Sequence, residues 1–217
     1  MQRIELDYGL KKTRVQSDKY YMIGSAKMKI YILDRSRATT RYAELYFSGY
    51  ENVEVVNAEF EDFMRTYPVD CVVSPANAYG LMDGGYDLAI TRYFGDQLQQ
   101  RVQQYIVDNL YGEQPVGTSI IVDAGRNGQR LIHTPTMRTP SEIKDPCLIY
   151  HCMRSTLICA YKYNVESIVI PFFGGGCGNL HPNIVAKMMW KAYVQIHNPP
   201  QKLDWDYAYS QEICDGY

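Results

Sequence analysis

Two stretches of this chain share one pattern: a short apolar run, a glycine-rich loop, then the start of a helix. The first leaves Cys71-Val72-Val73 and passes through Ser74-Pro75-Ala76-Asn77-Ala78-Tyr79-Gly80-Leu81-Met82-Asp83-Gly84-Gly85 into Tyr86-Asp87-Leu88-Ala89-Ile90. The second leaves Ser167-Ile168-Val169-Ile170 through Pro171-Phe172-Phe173-Gly174-Gly175-Gly176-Cys177-Gly178-Asn179-Leu180. A strand that is apolar along its whole length is covered on both faces, and such strands belong to largely parallel sheets layered with helices. Two such strands parallel in one sheet would deliver both loops to the same carboxyl edge. That edge is where open α/β sheets bind ligands.

The rest of the chain fits this frame. Alternation marks a strand at 28–33, and apolar runs mark others at 53–56, 70–73, 118–122, 130–134 and 167–170. Helical periodicity marks 38–48, a short segment from Glu59, a helix from about Gly85, and helices over 96–110, 147–163 and 182–196. In 96–110 the apolar residues Leu98, Val102, Tyr105, Ile106 and Leu110 share one face. Strands alternating with helices predict an α/β domain, three layers α/β/α, around a central mixed, largely parallel sheet. Residues 1–27 read as an irregular extension, 28–197 as the domain, and 198–217 as a polar tail without a clear element.

Chemistry concentrates in the glycine loops. Four glycines fall within Gly174–Gly178, and each adds freedom to the unfolded chain that folding must remove. Such a cluster predicts unusual dihedrals or close approach to a ligand. Successive backbone N–H groups turned inward form an anion nest, and the following helix start adds a favourable dipole. A diphosphate suits that geometry. The competing reading is a tight strand-to-helix connector. No Gly-Lys-Ser/Thr follows, so this is not a Walker loop, and Asn179 stands where a dinucleotide fingerprint needs its third glycine.

Composition narrows the classes further. With 22 basic against 24 acidic residues, the chain has no general electrostatic grip on nucleic acid or an anionic membrane. No apolar run is long enough to span a bilayer, and no leader-like start is visible. The six cysteines include no CxxC pair, and most sit in apolar surroundings, which predicts buried thiols in a reducing compartment. A cytoplasmic protein without membrane partners is the plain expectation.

Four motifs in order, Cys71–Asn77 (CVVSPAN), Asp83–Ile90 (DGGYDLAI), Leu131–Pro135 (LIHTP) and Ile170–Gly178 (IPFFGGGCG), resemble those of the macro domain, an ADP-ribose-binding α/β/α module. The resemblance covers roughly residues 28–196 and is closest in flavour to bacterial and phage members. It implies that Asn77 holds the distal ribose with Asp87 close by, and that these two are the catalytic residues of a metal-independent hydrolase needing no cofactor. It implies ligand contacts from Glu59, Ala76, Asp83, Gly84, Gly85, Tyr86, Phe173, Gly174, Gly175, Gly176, Cys177, Gly178 and Asn179. The partner implied is ADP-ribose or an ADP-ribosylated substrate. Glu59 stands where the family places an aspartate for the adenine amino group. Glycine and cysteine replace the usual serine and threonine of the phosphate loop, leaving Phe172 or Phe173 to stack on the ligand.

A carboxylate near the ribose C1″ oxygen can orient or deprotonate water, and an amide can fix the neighbouring hydroxyl. Each residue also has a plainer reading. Asn77 suits a turn that satisfies its own backbone. Asp87 suits a helix N-terminus, where a negative charge contributes about 0.3–1 kcal/mol. His133 reads as a satisfied core histidine, Cys177 and His181 are too few for a zinc site, and Arg138 either covers the ligand or is solvated. Two functions follow from the resemblance: removal of a group at C1″, or ADP-ribose reading without turnover. A sensor or sequestering module for another NAD-derived nucleotide is a third.

Overall fold

A computed structural model describes residues 28–211. The expected irregular segment 1–27 and the last six residues of the tail lie outside the described residues. The chain order is β1 (Lys29–Asp34), α1 (Arg37–Phe47), β2 (Val53–Asn57), α2 (Phe60–Thr66), β3 (Cys71–Ser74), α3 (Gly85–Phe94), α4 (Gln97–Leu110), β4 (Ile120–Asp123), β5 (Arg130–His133), α5 (Cys147–Lys162), β6 (Ser167–Pro171), α6 (Pro182–His197) and α7 (Trp205–Ser210).

One six-stranded sheet has the order β2-β1-β6-β3-β5-β4. All neighbours are parallel except β4 and β5, which pair antiparallel with Ile121 opposite Ile132. The expected mixed, largely parallel sheet is therefore present. The period of two along each strand feeds two cores. Ile30, Ile32, Cys71, Val73, Ile168 and Ile170 face one side, where α1, α5 and α6 pack. Leu33, Val72, Leu131 and Val169 face the other, where α2, α3 and α4 pack. Phe47, Phe63 and Tyr193 are almost wholly buried, and each such side chain contributes about 1.5–3 kcal/mol by leaving water.

Local signals set the element ends. Ser36 caps α1 by accepting from Thr39 N at 3.3 Å. Tyr111 takes a left-handed conformation after α4, and Gly112 N reaches back to Ile106 O at 3.1 Å, closing the helix end. Pro182 opens α6 after His181, whose Nδ1 accepts from Asn183 N at 3.2 Å.

Three expectations need correction. The tail is not featureless, because α7 forms within it, capped by Asp204 Oδ1 accepting from Tyr207 N at 2.9 Å. Six residues are too few to show helical periodicity in sequence. Thr118 precedes β4 instead of starting it: its N–H and hydroxyl both bond Pro115 O, which makes a turn. Buried thiols are found at Cys71, Cys152 and Cys159, whereas Cys177 is exposed and Cys147 is disulfide-bonded. Among the described residues no helix is long and apolar enough to cross a membrane.

A candidate ligand cleft at the carboxyl edge of the sheet

β3 and β6 are adjacent and parallel, so the loops that follow them emerge side by side. Gly174 begins the second loop with φ +69°, and a Cβ there would lie 2.9 Å from Ile143 Cδ1. At Gly178 a Cβ would lie 2.6 Å from Gly174 O. These two are glycine so that the loop can fold on itself and against Ile143. Gly175 and Gly176 differ. Both are exposed, and a Cβ on Gly176 would meet nothing within 4 Å. Among the described residues, none of the N–H groups of Gly174, Gly175, Gly176, Cys177 and Gly178 donates a hydrogen bond. A run of unpaired donors of this kind is the raw material of an anion nest. Asn179, with φ 52°, ends it, and its Nδ2 donates to Glu142 Oε1 at 3.2 Å.

The first loop supplies the other wall. Gly84 caps α3 and Gly85 opens it with φ +54°; an added Cβ at either would meet nothing within 4 Å. Asp83 is exposed and Ala76 is buried. The early N–H groups of α3 have no intrahelical acceptor, as at any helix start. Asp87 lies in this first turn. Its Oδ1 accepts from Ser74 Oγ at 2.6 Å, which ties it to the end of β3. Burial pushes the Asp87 carboxyl up to about 7, while the Ser74 hydrogen bond opposes that rise.

Asn77 behaves as the turn residue of the plainer reading. Its Oδ1 accepts from Tyr79 N at 3.1 Å and Leu81 N at 3.3 Å, and its Nδ2 donates to Leu81 O at 2.8 Å. The carboxamide thus shapes the loop that leads to Gly84 and Asp87. The 135–146 segment braces both loops from outside: Ala78 N donates to Met137 O at 3.0 Å, and Ile143 N donates to Gly178 O at 3.0 Å.

Several expected contacts lie elsewhere. Phe173 is wholly buried and Phe172 nearly so, so neither ring is free to stack on a ligand; both are drawn into the core under α5 and α6. Tyr86 is half-buried against Phe60, with ring centroids 5.3 Å apart, and its buried hydroxyl finds no partner among the described residues. Glu59 caps α2 without a side-chain cap bond and is exposed, 4.0 Å from Arg35. Arg138 neither covers the cleft nor stands free. It makes a two-pronged ion pair with Glu113, at 2.7 and 2.9 Å, which also accepts from Tyr79 Oη. Cys177 is not joined by His181 in any metal-binding cluster among the described residues. His133 is only half satisfied: Nδ1 pairs with Gln114 Oε1 at 2.7 Å, while buried Nε2 has no partner. Burial lowers its pKa to about 3.

Sequence reasoning missed two residues of this edge. Ser74 is wholly buried and positions Asp87. Asp34 ends β1 and accepts from Ser36 N at 2.7 Å; burial holds its carboxyl above the usual range. In each case the available signal was a polar residue closing an apolar strand run.

The macro domain family model matches residues 73–189, more than half of the chain. An uncharacterized protein of Aquifex aeolicus is 29% identical over 121 residues, 55% of this chain and 70% of that protein. Another, of Aeropyrum pernix, is 29% identical over 119 residues, 54% of this chain and 60% of its own length. Among solved structures, the Oceanobacillus iheyensis macrodomain with MES bound has a TM-score of 0.55 at 23% identity, covering 68% of this chain and 84% of that one. A mutant of the same macrodomain with ADPR has a TM-score of 0.56 at 22% identity, covering 69% and 87%. The macrodomain of Mycobacterium tuberculosis DarG has a TM-score of 0.52 at 20% identity, covering 60% and 85%.

Proposed function

Because this chain belongs to the macro domain family, we propose that the cleft between its two glycine loops binds ADP-ribose and that Asp87 serves hydrolysis at the distal ribose. One observation carries the binding half: the five consecutive unpaired N–H groups of Gly174–Gly178 beside the exposed Gly84–Gly85 turn. Backbone donors on two adjacent loops suit a diphosphate with a riboside on either side. Fold likeness to structures with ADPR and ADP supports the same ligand class.

For hydrolysis, Asp87 as carboxylate takes a proton from a water placed at C1″. The water oxygen forms the new bond to C1″ while the bond to the attached group breaks, and that group leaves with the electron pair. A pKa near neutrality suits a general base at working pH. Ser74 holds the carboxylate in place.

A second reading, ADP-ribose binding without turnover, is favoured by one observation. The Asn77 carboxamide is hydrogen-bonded at both ends to its own loop. Calorimetry with ADP-ribose against AMP tests the cleft, with ADP-ribose expected to bind far more tightly. Equal affinities would refute the diphosphate assignment. An assay on mono-ADP-ribosylated protein and on ADP-ribose 1″-phosphate then decides between the two readings. Tight binding with no release from either substrate leaves the reader.

A further inference from the structure

β4 is the last strand of the sheet, with a neighbour on one side only. Its open side lies in a groove of about 410 Å³ between α4 and α5, with Tyr105 on one wall and Arg154, Ile158 and Lys162 on the other. A second concavity of about 330 Å³ shares Ile121 and Tyr163 with the first and continues past Val122 to Gly128 and Arg130. The two make one trough along the strand edge. It follows the open edge of β4, two strands from β3 and three from β6, whose loops form the ligand cleft.

Edge strands usually carry lysine, proline or a bulge that discourages pairing with another chain. β4 reads Ile120-Ile121-Val122-Asp123, with no proline and no cation. Its backbone is therefore able to accept a further strand. The walls offer alternate kinds of contact. Ile158 is 41% exposed and Tyr163 44% exposed, which gives apolar footing above the edge. His151, Arg154 and Lys162 line the main groove, and none of its lining residues is Asp or Glu. In a chain whose net charge is −2, that is a locally one-signed surface. At the far end Arg130 is taken by Asp70, at 2.6 Å, and Asp123 is exposed, so the cationic stretch is confined to the main groove.

From these features we propose that the open edge of β4 takes an extended, acidic segment of a partner protein as a seventh strand. The four residues of β4 span roughly 13 Å, enough for a few main-chain pairings. Side chains of the added strand that point toward α5 would alternate apolar and acidic, meeting Ile158 and Tyr163 and then Arg154 and Lys162. Main-chain bonds would supply affinity and the cations would select the partner. A second copy of this chain is a poorer occupant, since two rims of the same sign would meet.

The test is an NMR titration of the full chain with an acetylated peptide of roughly six to eight residues in which valine and glutamate alternate at every second position, with threonine between them, so that one face carries both. At millimolar peptide, the amide resonances of Ile120–Asp123 should shift and gain protection from exchange. The lysine counterpart should leave them unmoved, as should the glutamate peptide N-methylated at alternate residues. Lys162→Glu lies on an exposed helix surface and should leave the circular dichroism spectrum unchanged. It should weaken binding by roughly threefold to tenfold, with a smaller salt dependence. No shift in β4 with the glutamate peptide overturns the proposal. So does equal binding of the lysine or N-methylated peptide, or a concentration-dependent dimer that protects β4 without peptide.

Discussion

Asp87 is where one side chain carries the most consequence. Its carboxyl is pushed to about 7, first by burial, against the pull of Ser74. The proton is thus held more tightly in the folded chain than in the unfolded one, where an aspartate titrates near ~4. Stability from this group is present below the unfolded value and is lost as pH rises toward 7. Asp87→Asn should therefore melt higher than wild type at pH 8, and the gap should close as pH falls toward 4. A gap that does not change with pH would contradict the buried carboxylate. The same variant should lose about 10²–10⁴-fold in turnover while binding ADP-ribose nearly as wild type. Ser74→Ala removes a donor that favours the ionised form, so the activity profile should move to higher pH, and Ser74→Thr should restore it. His133 has the opposite sign. Its folded pKa of about 3 lies below the ordinary value, so its contribution is complete above ~6.5 and declines as pH falls from there toward 3. In His133→Gln the melting temperature should fall less steeply over that range, whatever its absolute level. An unchanged slope would show that this histidine is not the group that titrates.

At the scale of an element, the glycine loop after β6 separates into two jobs. Gly174 and Gly178 are fixed by contacts of 2.9 Å to Ile143 and 2.6 Å to Gly174 O that an added methyl would make. Gly178→Ala should cost about 1–3 kcal/mol of stability by forcing the loop open, read as a lower denaturant midpoint. Gly176 has open space instead, so Gly176→Val should keep the wild-type melting temperature. It should weaken ADP-ribose by more than ~1 kcal/mol, because its side chain would stand where a phosphate must approach the N–H groups. If Gly176→Val binds normally, the loop is a connector and not a nest.

For the whole molecule, a ligand that binds only the folded state stabilises it by mass action. ADP-ribose at a hundred times its Kd should add about 2.7 kcal/mol to unfolding. AMP at the same concentration should add much less if the diphosphate spans both loops. Both loops sit on strands of one sheet, braced by the 135–146 segment through Met137 and Ile143. The stabilisation should therefore appear as one cooperative transition moved upward, observed by calorimetry. A split transition would mean that the two loops are not held by a single cooperative unit.

The sequence by itself determined the α/β architecture, the order of most strands and helices along the chain, and the two strand, glycine-loop, helix units. Those are local matters: apolar alternation with a period of two or 3.6, and glycine where no other residue fits. It also put Asp87 in the first turn of a helix. That both loops share one edge came from the parallel pairing of β3 and β6. What only the tertiary structure decided is which of the motif residues are free. Phe173 was an aromatic residue beside a phosphate loop, and packing against the core took its ring away. Asn77 was an amide in a loop, and the nearest unpaired backbone groups claimed both ends of it. Arg138 was a cation near the cleft until Glu113, distant in sequence, engaged it. Ser74 gained its role only when α3 folded back over β3. The open edge of β4 exists because strand order is a property of the sheet, set by contacts between residues far apart in the chain, and no local pattern encodes it.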